Sequence, residues 1–413
     1  MTTTIPAETS FPKSRIRVLL TESIHASAHE VFRAEGFQVE ACPGSLGEEA
    51  LVEKVRDVHV LGIRSRTRVT ERALSEARRL LTLGAFCIGT NQVALESASE
   101  HGVPVFNAPF SSTRSVAELV IAELIALSRR LADRSREMHE GRWHKHAPFS
   151  HEVRGKTLGI VGYGHIGTQV GVLAEAVGLQ VLFHDIVPKL PIGNNRRADS
   201  LEDVLARADF VTLHVPETPL TRDLIGEREL ARMKPGACLL NLSRGSVVDV
   251  GALARALGSG HLSGAAADVF PAEPAGNTDD FATELRGVPN VILTPHVGGS
   301  TEEAQEAIGC EVASALVKFV NTGATTGSVN FPNVEPPPLV DRHRLLNVHR
   351  NVPGVLSSIN RIVSDAQANI EGQILATNPA IGYLVMDLNR EVSKEVRLQM
   401  SALETSIRTR VLY

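Results

Sequence analysis

The sequence predicts an α/β protein with two doubly wound parallel sheets and a smaller third domain near the end of the chain. Three observations lead to this fold class. Short apolar segments alternate with helical segments in two successive stretches, 16–107 and 157–294, which is typical of parallel strands joined by crossover helices. A proline-rich segment at 331–339 predicts a linker, because proline continues neither a helix nor a central strand. The residues after it give the order β-α-β-β-α-β of a ferredoxin-like domain.

Composition and charge narrow the classes of function. The 413 residues are enough for two or three domains of about 150 residues each. Hydrophobic residues at 43% and charged residues at 22% are ordinary globular values, and the net charge of −5 gives no electrostatic footprint for nucleic acid. We find neither a signal peptide nor a stretch of about 18 apolar residues, so we expect a cytoplasmic protein without a membrane partner. The four cysteines show no CxxC pair and no zinc-site spacing, so no metal site is predicted.

Apolar segments predict the strands of the two lobes. In the first lobe, strands are predicted at Ile16–Leu20, Val58–Ile63, Leu80–Leu83 and Pro104–Asn107, with a helix over Ala26–Gly36. In the second lobe, strands are predicted at Thr157–Val161, Gln180–His184, Phe210–His214, Cys238–Asn241 and Val291–Thr294. The helix-forming segment Ser115–His139 contains few breakers and is predicted as one long helix between the lobes.

The domain boundaries follow from these elements. The helical segment Glu302–Val320 is expected to return the chain to the first lobe, which makes that lobe discontinuous, at 15–107 and 301–331. The second lobe is expected at 108–300, and the third domain at 340–413. The third domain is predicted to contain strand Arg344–His349, helix Gly354–Ala366, strands Asn369–Ala376 and Gly382–Asp387, helix Ser393–Leu403 and strand Ser406–Leu412.

A glycine loop stands between the first strand and the first helix of the second lobe. Gly162-x-Gly164-x-x-Gly167 follows an apolar strand directly and precedes a helical segment, which is the context of the Rossmann-type dinucleotide fingerprint. Gly162 permits the tight turn, Gly164 lets the backbone approach a pyrophosphate, and Gly167 lets the helix lie close to the strand. His165 and Ile166 would supply the backbone contacts. The alternative is that these glycines only shape a turn between strand and helix.

An acidic residue at the end of the next strand bears on the choice of cofactor. Asp185 lies 18 positions after Gly167, near the place where a carboxylate binds the ribose hydroxyls. Because a carboxylate there repels a 2′-phosphate, Asp185 favours NAD over NADP.

Three residues downstream carry the side chains that oxidation of a secondary alcohol needs. His296 follows a strand end at the edge of the sheet where such folds bind ligands, and imidazole titrates near neutral pH. Glu273 lies 23 residues earlier on a proline-bounded loop, where its carboxylate can orient the ring of His296 and raise its basicity. Arg244 has the planar fork that suits a carboxylate or a carbonyl oxygen. Taken singly, the histidine is typical of a satisfied polar residue, and the glutamate and arginine of solvated surface charges.

Four motifs together resemble a known family. GYGHIG, NLSRGSVVD, ADVFPAEP and LTPHVGGST are similar to segments of the D-isomer-specific 2-hydroxyacid dehydrogenases, whose catalytic residues are Arg, Glu and His in this order. The resemblance implies that Arg244 binds the substrate and polarises its oxygen, that His296 is the acid/base and that Glu273 supports it. It also implies NAD contacts at His165, Ile166, Asp185, Leu242, Ser243, Arg244, Asp268, His296, Val297, Gly298 and Gly299. Taken alone, Asp268 is also typical of a helix cap or a turn.

Further segments narrow the resemblance to one branch of that family. IRSRT, FCIGTNQV, VFNAPFSSTRSVAELVI and HRNVPGVL resemble the branch that oxidises 3-phosphoglycerate to 3-phosphooxypyruvate, the first step of serine synthesis. We also expect reduction of 2-oxoglutarate as a side activity, because that acid carries a second anion. The resemblance implies a flavodoxin-like substrate-binding domain at 15–107 and 301–331 and an NAD-binding domain at 108–300. It implies that the substrate anion binds at Arg64, Ser65, Arg66 and Lys145. The alternative for the basic residues is a solvated edge.

The same resemblance identifies the third domain as an ACT domain that senses L-serine and pairs with a neighbouring subunit, and it implies a homotetramer. His349, Asn351 and Asn369 fall where the serine site lies in related enzymes. Asn and His are also common turn residues, and relatives often have an acidic residue, Asn and Arg where this chain has Arg350, Asn351 and Val352. Two other functions stay open at this point: a dehydrogenase for another 2-hydroxy acid such as glycerate or lactate, and an NAD-binding corepressor without catalysis.

Overall fold

The computed structural model describes residues 11–274, 278, 280–338, 342–388 and 393–412. The chain forms two compact units. The first contains the described residues up to Ser111 together with those from Gln305 on, and the second runs from Ser112 to Ala304. Within the described part of the chain, no helix has both the length and the apolar character needed to cross a bilayer.

The first unit begins with a five-stranded parallel sheet. Its elements are β1 (Arg17–Leu20), α1 (Ala26–Ala34), β2 (Gln38–Ala41), α2 (Glu48–Val55), β3 (Val60–Ile63), α3 (Glu71–Glu76), β4 (Thr82–Ala85), α4 (Leu95–Glu100) and β5 (Val105–Asn107). The strand order is β2-β1-β3-β4-β5, which is the flavodoxin-like order. The prediction from the sequence lacked β2 and placed β4 two residues early. Gln38 and Glu40 are exposed at the edge of the sheet, so β2 has no apolar run to reveal it.

The second unit contains a seven-stranded parallel sheet. Its elements are α5 (Thr113–Ser128), α6 (Leu131–His139), β6 (Thr157–Val161), α7 (His165–Ala176), β7 (Gln180–His184), β8 (Arg196–Arg197), α8 (Leu201–Arg207), β9 (Phe210–Leu213), α9 (Glu227–Arg232), β10 (Cys238–Asn241), α10 (Val250–Gly258), β11 (Gly264–Ala267) and β12 (Val291–Leu293). The strand order β8-β7-β6-β9-β10-β11-β12 is that of a Rossmann fold with one added strand. The predicted α/β class is therefore confirmed.

The single long helix predicted over Ser115–His139 is wrong, because the structure has two helices there. Arg130 adopts a left-handed conformation, with φ +52°, between α5 and α6. The carbonyl oxygen of Leu127 accepts hydrogen bonds from the N–H of Arg130 and from Nδ2 of Asn290 instead of continuing the regular helical pattern. The buried stripe of α5 also ends at this point, and α6 has no buried residue. Helix propensity is a local property, so it could not predict an interruption that depends on a contact with a residue distant in sequence.

The long helix α11 (Glu302–Thr322) packs its apolar side on the first sheet. A Cβ atom at Gly84, in β4, would lie 2.6 Å from Val312 and 2.7 Å from Leu316. The absence of a side chain at Gly84 is therefore what allows this helix to lie so close to the sheet.

A four-stranded antiparallel sheet ends the chain. Its elements are β13 (His343–Arg350), α12 (Val355–Asp365), β14 (Ile370–Thr377), β15 (Ile381–Leu388), α13 (Ser393–Ser401) and β16 (Ser406–Leu412), and the strand order is β14-β15-β13-β16. One face carries Leu345 and Leu384 against the two helices. The opposite face carries Leu346 and Tyr383 against the core that includes Phe319. The predicted ferredoxin-like arrangement is therefore confirmed.

A buried ion pair fixes this sheet to the end of α11. Arg344 and Asp387 are 0% and 3% exposed, and the guanidinium donates to both carboxylate oxygens, at 2.7 and 2.8 Å. Two further guanidinium donors reach the carbonyl oxygens of Thr322 and Pro337, at 3.1 and 2.9 Å. The positive charge therefore has acceptors on the strand, on the helix end and on the segment before the strand.

Replacing one partner of this pair leaves an uncompensated buried charge. We expect Asp387→Asn to lower the free energy of unfolding by about 3–5 kcal/mol, measured by urea unfolding of the full chain. The matched control is Asp57→Asn, because Asp57 is 59% exposed and its ion pairs with Arg17 and Arg79 lie at the surface. This control should cost at most about 1 kcal/mol. Equal effects of the two variants would contradict the role given to the buried pair.

Candidate active site

The glycine loop lies where the strand order of the second sheet reverses. β6 pairs with β7 on one side and with β9 on the other, and open α/β sheets bind ligands at the carboxyl edge of such a point. Helix α7 begins immediately after Gly164, so its first turn is formed at His165 and Ile166. The positive end of the helix dipole there favours an anion such as a pyrophosphate.

The three glycines of the loop differ in what a side chain at their position would meet. Gly162 has φ +91°, and a Cβ atom there would overlap the carbonyl group of His214. A Cβ atom at Gly167 would overlap the carbonyl oxygen of Gly162, so this glycine lets α7 lie against β6. A Cβ atom at Gly164 would meet no described atom within 4 Å. The space beside Gly164 is therefore open for a cofactor to approach the backbone.

Asp185 connects the end of β7 to the glycine loop. Its Oδ2 accepts a hydrogen bond from the N–H of Tyr163 at 2.8 Å, and its Oδ1 accepts one from the N–H of Val187 at 2.9 Å. A carboxylate has about four acceptor positions, so both oxygens keep capacity for ribose hydroxyl groups. The loop, the helix N-terminus and this carboxylate together fit a dinucleotide without a 2′-phosphate.

His296 and Glu273 are in direct contact. Nδ1 of His296 lies 2.8 Å from Oε2 of Glu273, and Oε1 of the same carboxylate accepts a hydrogen bond from the N–H of Phe270 at 3.2 Å. Because a carboxylate only accepts, the proton of this contact belongs to Nδ1 of the ring. The other ring nitrogen, Nε2, is therefore the one that can exchange a proton with a ligand.

The charges of this pair shift their titration in opposite directions. The hydrogen bond that His296 donates to Glu273, opposed by partial burial, raises the pKa of His296 above its usual value. Partial burial alone acts to raise the pKa of Glu273, but the hydrogen bond and charge of His296 outweigh it and lower that pKa. The positive charge of Arg244 acts on both groups, lowering each pKa as a minor cause. The three predicted catalytic side chains therefore share one electrostatic environment.

Arg244 stands on the loop after β10. It follows Leu242 and Ser243, which are 6% and 7% exposed, and its Nη1 donates to the carbonyl oxygen of Ser243 at 2.6 Å. A Cβ atom at Gly245 would overlap the carbonyl group of Phe270. This close approach joins the Arg244 loop to the loop that carries Glu273.

Asp268, at the end of β11, organises the turn around His296. It is 1% exposed. Its Oδ1 accepts from Oγ1 of Thr294 at 2.6 Å and from the N–H of Val297 at 2.8 Å, and its Oδ2 accepts from the N–H of Gly298 at 2.8 Å. The carbonyl oxygen of Asp268 accepts from the N–H of His296, also at 2.8 Å. These four bonds hold His296 in a left-handed conformation, with φ +55°. Gly299 follows in the same turn.

A buried carboxyl group near Asp268 was missed in the sequence. Glu123, on α5, is 3% exposed, and neither of its oxygens hydrogen-bonds to a described residue. Burial, with a smaller contribution from the charge of Asp268, raises the pKa of Glu123 to about 8. The sequence did indicate that this residue is buried, because Glu123 falls in the apolar stripe of the helix, which is formed by Val116, Val120, Leu124 and Leu127.

The predicted substrate residues fall in both units. Arg64, Ser65 and Arg66 follow β3 in the first unit, where Arg64 is half-buried and the other two are exposed. Lys145 lies in the second unit, on the exposed segment 139–149. The first unit therefore has its own cluster of cationic side chains at the carboxyl end of a strand.

The predicted effector residues lie in the third sheet. His349 is 3% exposed, and its Nδ1 lies 2.9 Å from Oδ1 of Asn347. Asn351 is exposed just after β13 and donates from Nδ2 to the carbonyl oxygen of Asn378 at 2.8 Å. Asn369 is exposed just before β14.

Comparisons with known proteins match both parts of the chain. The family model of the D-isomer-specific 2-hydroxyacid dehydrogenase NAD-binding domain matches residues 121–298, and that of the AHAS small-subunit-like ACT domain matches residues 345–408. A D-3-phosphoglycerate dehydrogenase of Dictyostelium discoideum is 56% identical over 405 residues, which cover 98% of this chain and 99% of that relative. A D-3-phosphoglycerate dehydrogenase of Escherichia coli K12 is 50% identical over 410 residues, which cover 98% and 100%.

The chain belongs to the D-isomer-specific 2-hydroxyacid dehydrogenases. It is thus an NAD-dependent oxidoreductase, and the predicted family, cofactor and ACT domain are confirmed. A solved structure of D-lactate dehydrogenase from Aquifex aeolicus, complexed with NAD and lactic acid, is similar with a TM-score of 0.67 and 26% identity. That likeness covers 76% of this dehydrogenase and 100% of the other chain.

The buried carboxyl of Glu123 gives a pH dependence with a definite sign. Its folded pKa of about 8 lies above the ordinary value of 4.5, so the folded chain keeps a proton that the unfolded chain loses. The contribution of Glu123 to stability is therefore greatest below the ordinary pKa and falls as the pH rises toward 8. Relative to Glu123→Gln, which is neutral at every pH, we expect the wild type to lose roughly 1 kcal/mol per pH unit between about pH 5 and pH 8.

Urea unfolding of both proteins across this pH range measures the difference. The control is Glu118→Gln on the same helix, because Glu118 is 60% exposed and pairs with Arg114 at the surface. Its pH dependence should follow that of the wild type. Parallel curves for Glu123→Gln and the wild type would show that Glu123 does not hold its proton.

Proposed function

We propose that this dehydrogenase oxidises 3-phospho-D-glycerate to 3-phosphooxypyruvate with NAD, the first step of serine synthesis. The observation that carries the reaction type is the 2.8 Å contact between His296 and Glu273. The choice of substrate is supported by two relatives named D-3-phosphoglycerate dehydrogenase, which match 98% of the chain, and by the cationic side chains that follow β3.

Three segments of the chain are assigned to the binding of NAD. Bound NAD supplies the acceptor for the hydride that leaves the alcohol carbon. The pyrophosphate is assigned to Gly164, His165 and Ile166, and the ribose hydroxyls to Asp185. The nicotinamide side is assigned to the loop after β10 and to the turn formed by Asp268 and residues 296–299.

His296 removes the hydroxyl proton as the hydride leaves. Glu273 fixes the proton of the ring on Nδ1, so Nε2 is presented as the base, and the carboxylate stabilises the imidazolium that forms. The guanidinium of Arg244 binds the substrate carboxylate and the oxygen that becomes a carbonyl. Because oxidation needs neutral His296, its rate rises as the pH passes the raised pKa of this histidine.

The distal phosphate is assigned to Arg64, Ser65 and Arg66, with Lys145. Guanidinium and ammonium groups suit a phosphate, and no described carboxylate forms an ion pair with these three cationic side chains. On this basis 15–107 and 301–331 form the substrate-binding domain, and 108–300 the NAD-binding domain.

A substrate panel tests the assignment. Purified protein should form NADH from 3-phosphoglycerate, with the product trapped, at least about tenfold more efficiently than from D-glycerate or D-lactate. The panel also includes NADP and the reduction of 2-oxoglutarate. His296→Ala should lower kcat by about 10²–10⁴ while the dissociation constant of NADH stays the same. His139→Ala, at an exposed histidine of α6, is the control. Absence of NADH formation from 3-phosphoglycerate would refute the proposed substrate, and an unchanged rate in His296→Ala would remove this residue from the mechanism.

The ACT domain, at 340–413, is proposed to bind L-serine and to inhibit the enzyme in a homotetramer. The family match at 345–408 supports an ACT domain. The exposed amide groups of Asn351 and Asn369 suit the carboxylate and ammonium groups of an amino acid, and His349 lies two residues before Asn351.

Saturating L-serine should lower the activity of the wild type, and Asn351→Ala should be inhibited at least about fivefold less sensitively, because it lacks the amide that binds the effector. Asn360→Ala, at a partly buried residue of α12 that accepts a hydrogen bond from Gln373, is the matched control. Initial rates over a series of serine concentrations measure the effect, and D-serine tests its specificity. An insensitive wild type would exclude serine as the effector.

A further inference from the structure

The loop that carries the proposed substrate arginines is closed by one buried carboxylate. Oε1 of Glu22 accepts hydrogen bonds from the N–H of Arg64 at 3.1 Å and from the N–H of Thr67 at 2.8 Å. Oε2 of Glu22 accepts a hydrogen bond from the N–H of Arg66 at 3.0 Å. Three of the four N–H groups of residues 64–67 therefore converge on a single side chain, which lies 42 residues before Arg64 in the sequence.

Glu22 itself is held in an uncommon conformation at the end of β1. It is 8% exposed, and both Glu22 and Ser23 have left-handed backbones, with φ +60° and +49°. The N–H of Glu22 donates to the carbonyl oxygen of Gly44 at 3.1 Å. Left-handed conformations are unfavourable for residues other than glycine, and they persist where the surroundings determine them.

The loop is also held by residues other than Glu22. Nε2 of Gln92 donates to the carbonyl oxygen of Arg64 at 2.7 Å. Oγ1 of Thr67 lies 3.4 Å from Oγ1 of Thr21 and accepts from the N–H of Leu46 at 3.3 Å. Arg64 and Arg66 therefore start from a backbone that is fixed at several points.

Successive N–H groups that point to one place form a concave site for anions. In this loop the carboxylate of Glu22 already occupies that site, so a substrate phosphate has mainly the side chains left to bind. Three of the four main-chain N–H groups of residues 64–67 are already bonded to Glu22, and the guanidinium groups of Arg64 and Arg66 lie outside any described ion pair. Nη1 of Arg64 makes one long contact, 3.4 Å, with the carbonyl oxygen of Glu22.

We propose that Glu22 is a positioning residue for substrate specificity: its carboxylate fills the backbone anion site of residues 64–67 and so presents Arg64 and Arg66 to the distal anion of the substrate. This inference rests on the proposed function, which assigns the distal phosphate to these arginines. Glu22 touches neither the reacting carbon nor the cofactor in this assignment, so its effect is on recognition of the distal group and not on hydride transfer.

Glu22→Gln tests the proposal. Glutamine keeps one oxygen that accepts from the loop but replaces the other by an NH₂ group, which opposes the N–H of Arg66. We expect the KM for 3-phosphoglycerate to rise about tenfold and kcat to stay within about twofold. The KM for D-glycerate, a 2-hydroxy acid without a distal anion, should not change, and neither should the dissociation constant of NADH.

Two further variants keep the test decisive. Glu40→Gln, which removes a surface ion pair with Lys54, is the matched control and should leave every constant unchanged. Gln92→Ala removes the hydrogen bond to the carbonyl oxygen of Arg64, and should raise the same KM by about threefold. It therefore decides the question if Glu22→Gln does not fold, which a thermal melt detects. An unchanged KM for 3-phosphoglycerate, or an equal rise in KM for both substrates, would overturn the proposal.

The experiments distinguish a failure of the role proposed for Glu22 from a failure of the proposed function. If the wild type does not oxidise 3-phosphoglycerate, the proposed substrate fails, and the same variants are measured with D-2-hydroxyglutarate, whose distal group is a carboxylate. A selective rise in its KM in Glu22→Gln would still support the positioning role. If Arg64→Ala leaves the KM for 3-phosphoglycerate unchanged while the wild type is active, the assignment of the loop fails, and the role of Glu22 fails with it.

Discussion

The carboxylate of Asp268 is the constraint on which the site of the second unit depends. A buried carboxylate is stable only when its oxygens have donors, and here the donors come from the turn that contains His296. The same bonds stabilise a left-handed residue that would otherwise be unfavourable. The ring of His296 then meets Glu273, and the close approach of Gly245 to Phe270 brings the Arg244 loop to the same place. The contacts of Asp268 therefore place the proposed catalytic side chains beside one another at the edge of the second sheet.

Several interior strands of the second sheet could be predicted from the sequence because they are buried apolar runs, whereas the buried strand β11 was missed, since Gly264–Ala267 contains only glycine and alanine. Thr157–Val161, Gln180–His184 and Cys238–Asn241 have the predicted bounds, and each is a short run of apolar residues. β2 could not be found in this way, since an exposed edge strand needs no apolar run. The break between α5 and α6 involves a contact with Asn290, which lies 163 residues after Leu127. A local sequence pattern cannot predict such a contact.

Only part of the candidate site could be predicted from local sequence patterns. The glycine loop and Asp185 could be predicted because a dinucleotide imposes a fixed local spacing on a strand, a turn and a helix. The group of Arg244, Glu273 and His296 was found through family resemblance, because their spacing in sequence does not determine their distance in space. Glu22 was missed, since a glutamate after a strand is ordinarily solvated, and only its contacts with the distant loop reveal what it holds.

The glycines of the loop differ in whether the fold or the ligand requires them. At Gly162 and Gly167 any side chain would collide with backbone, so the fold itself excludes other residues. Gly164 has φ −83°, a value open to every amino acid, and there is room around it for a side chain. No described residue requires glycine at this position. A descendant of this chain that no longer used a dinucleotide would be free to replace Gly164 first, and it would keep its fold while doing so.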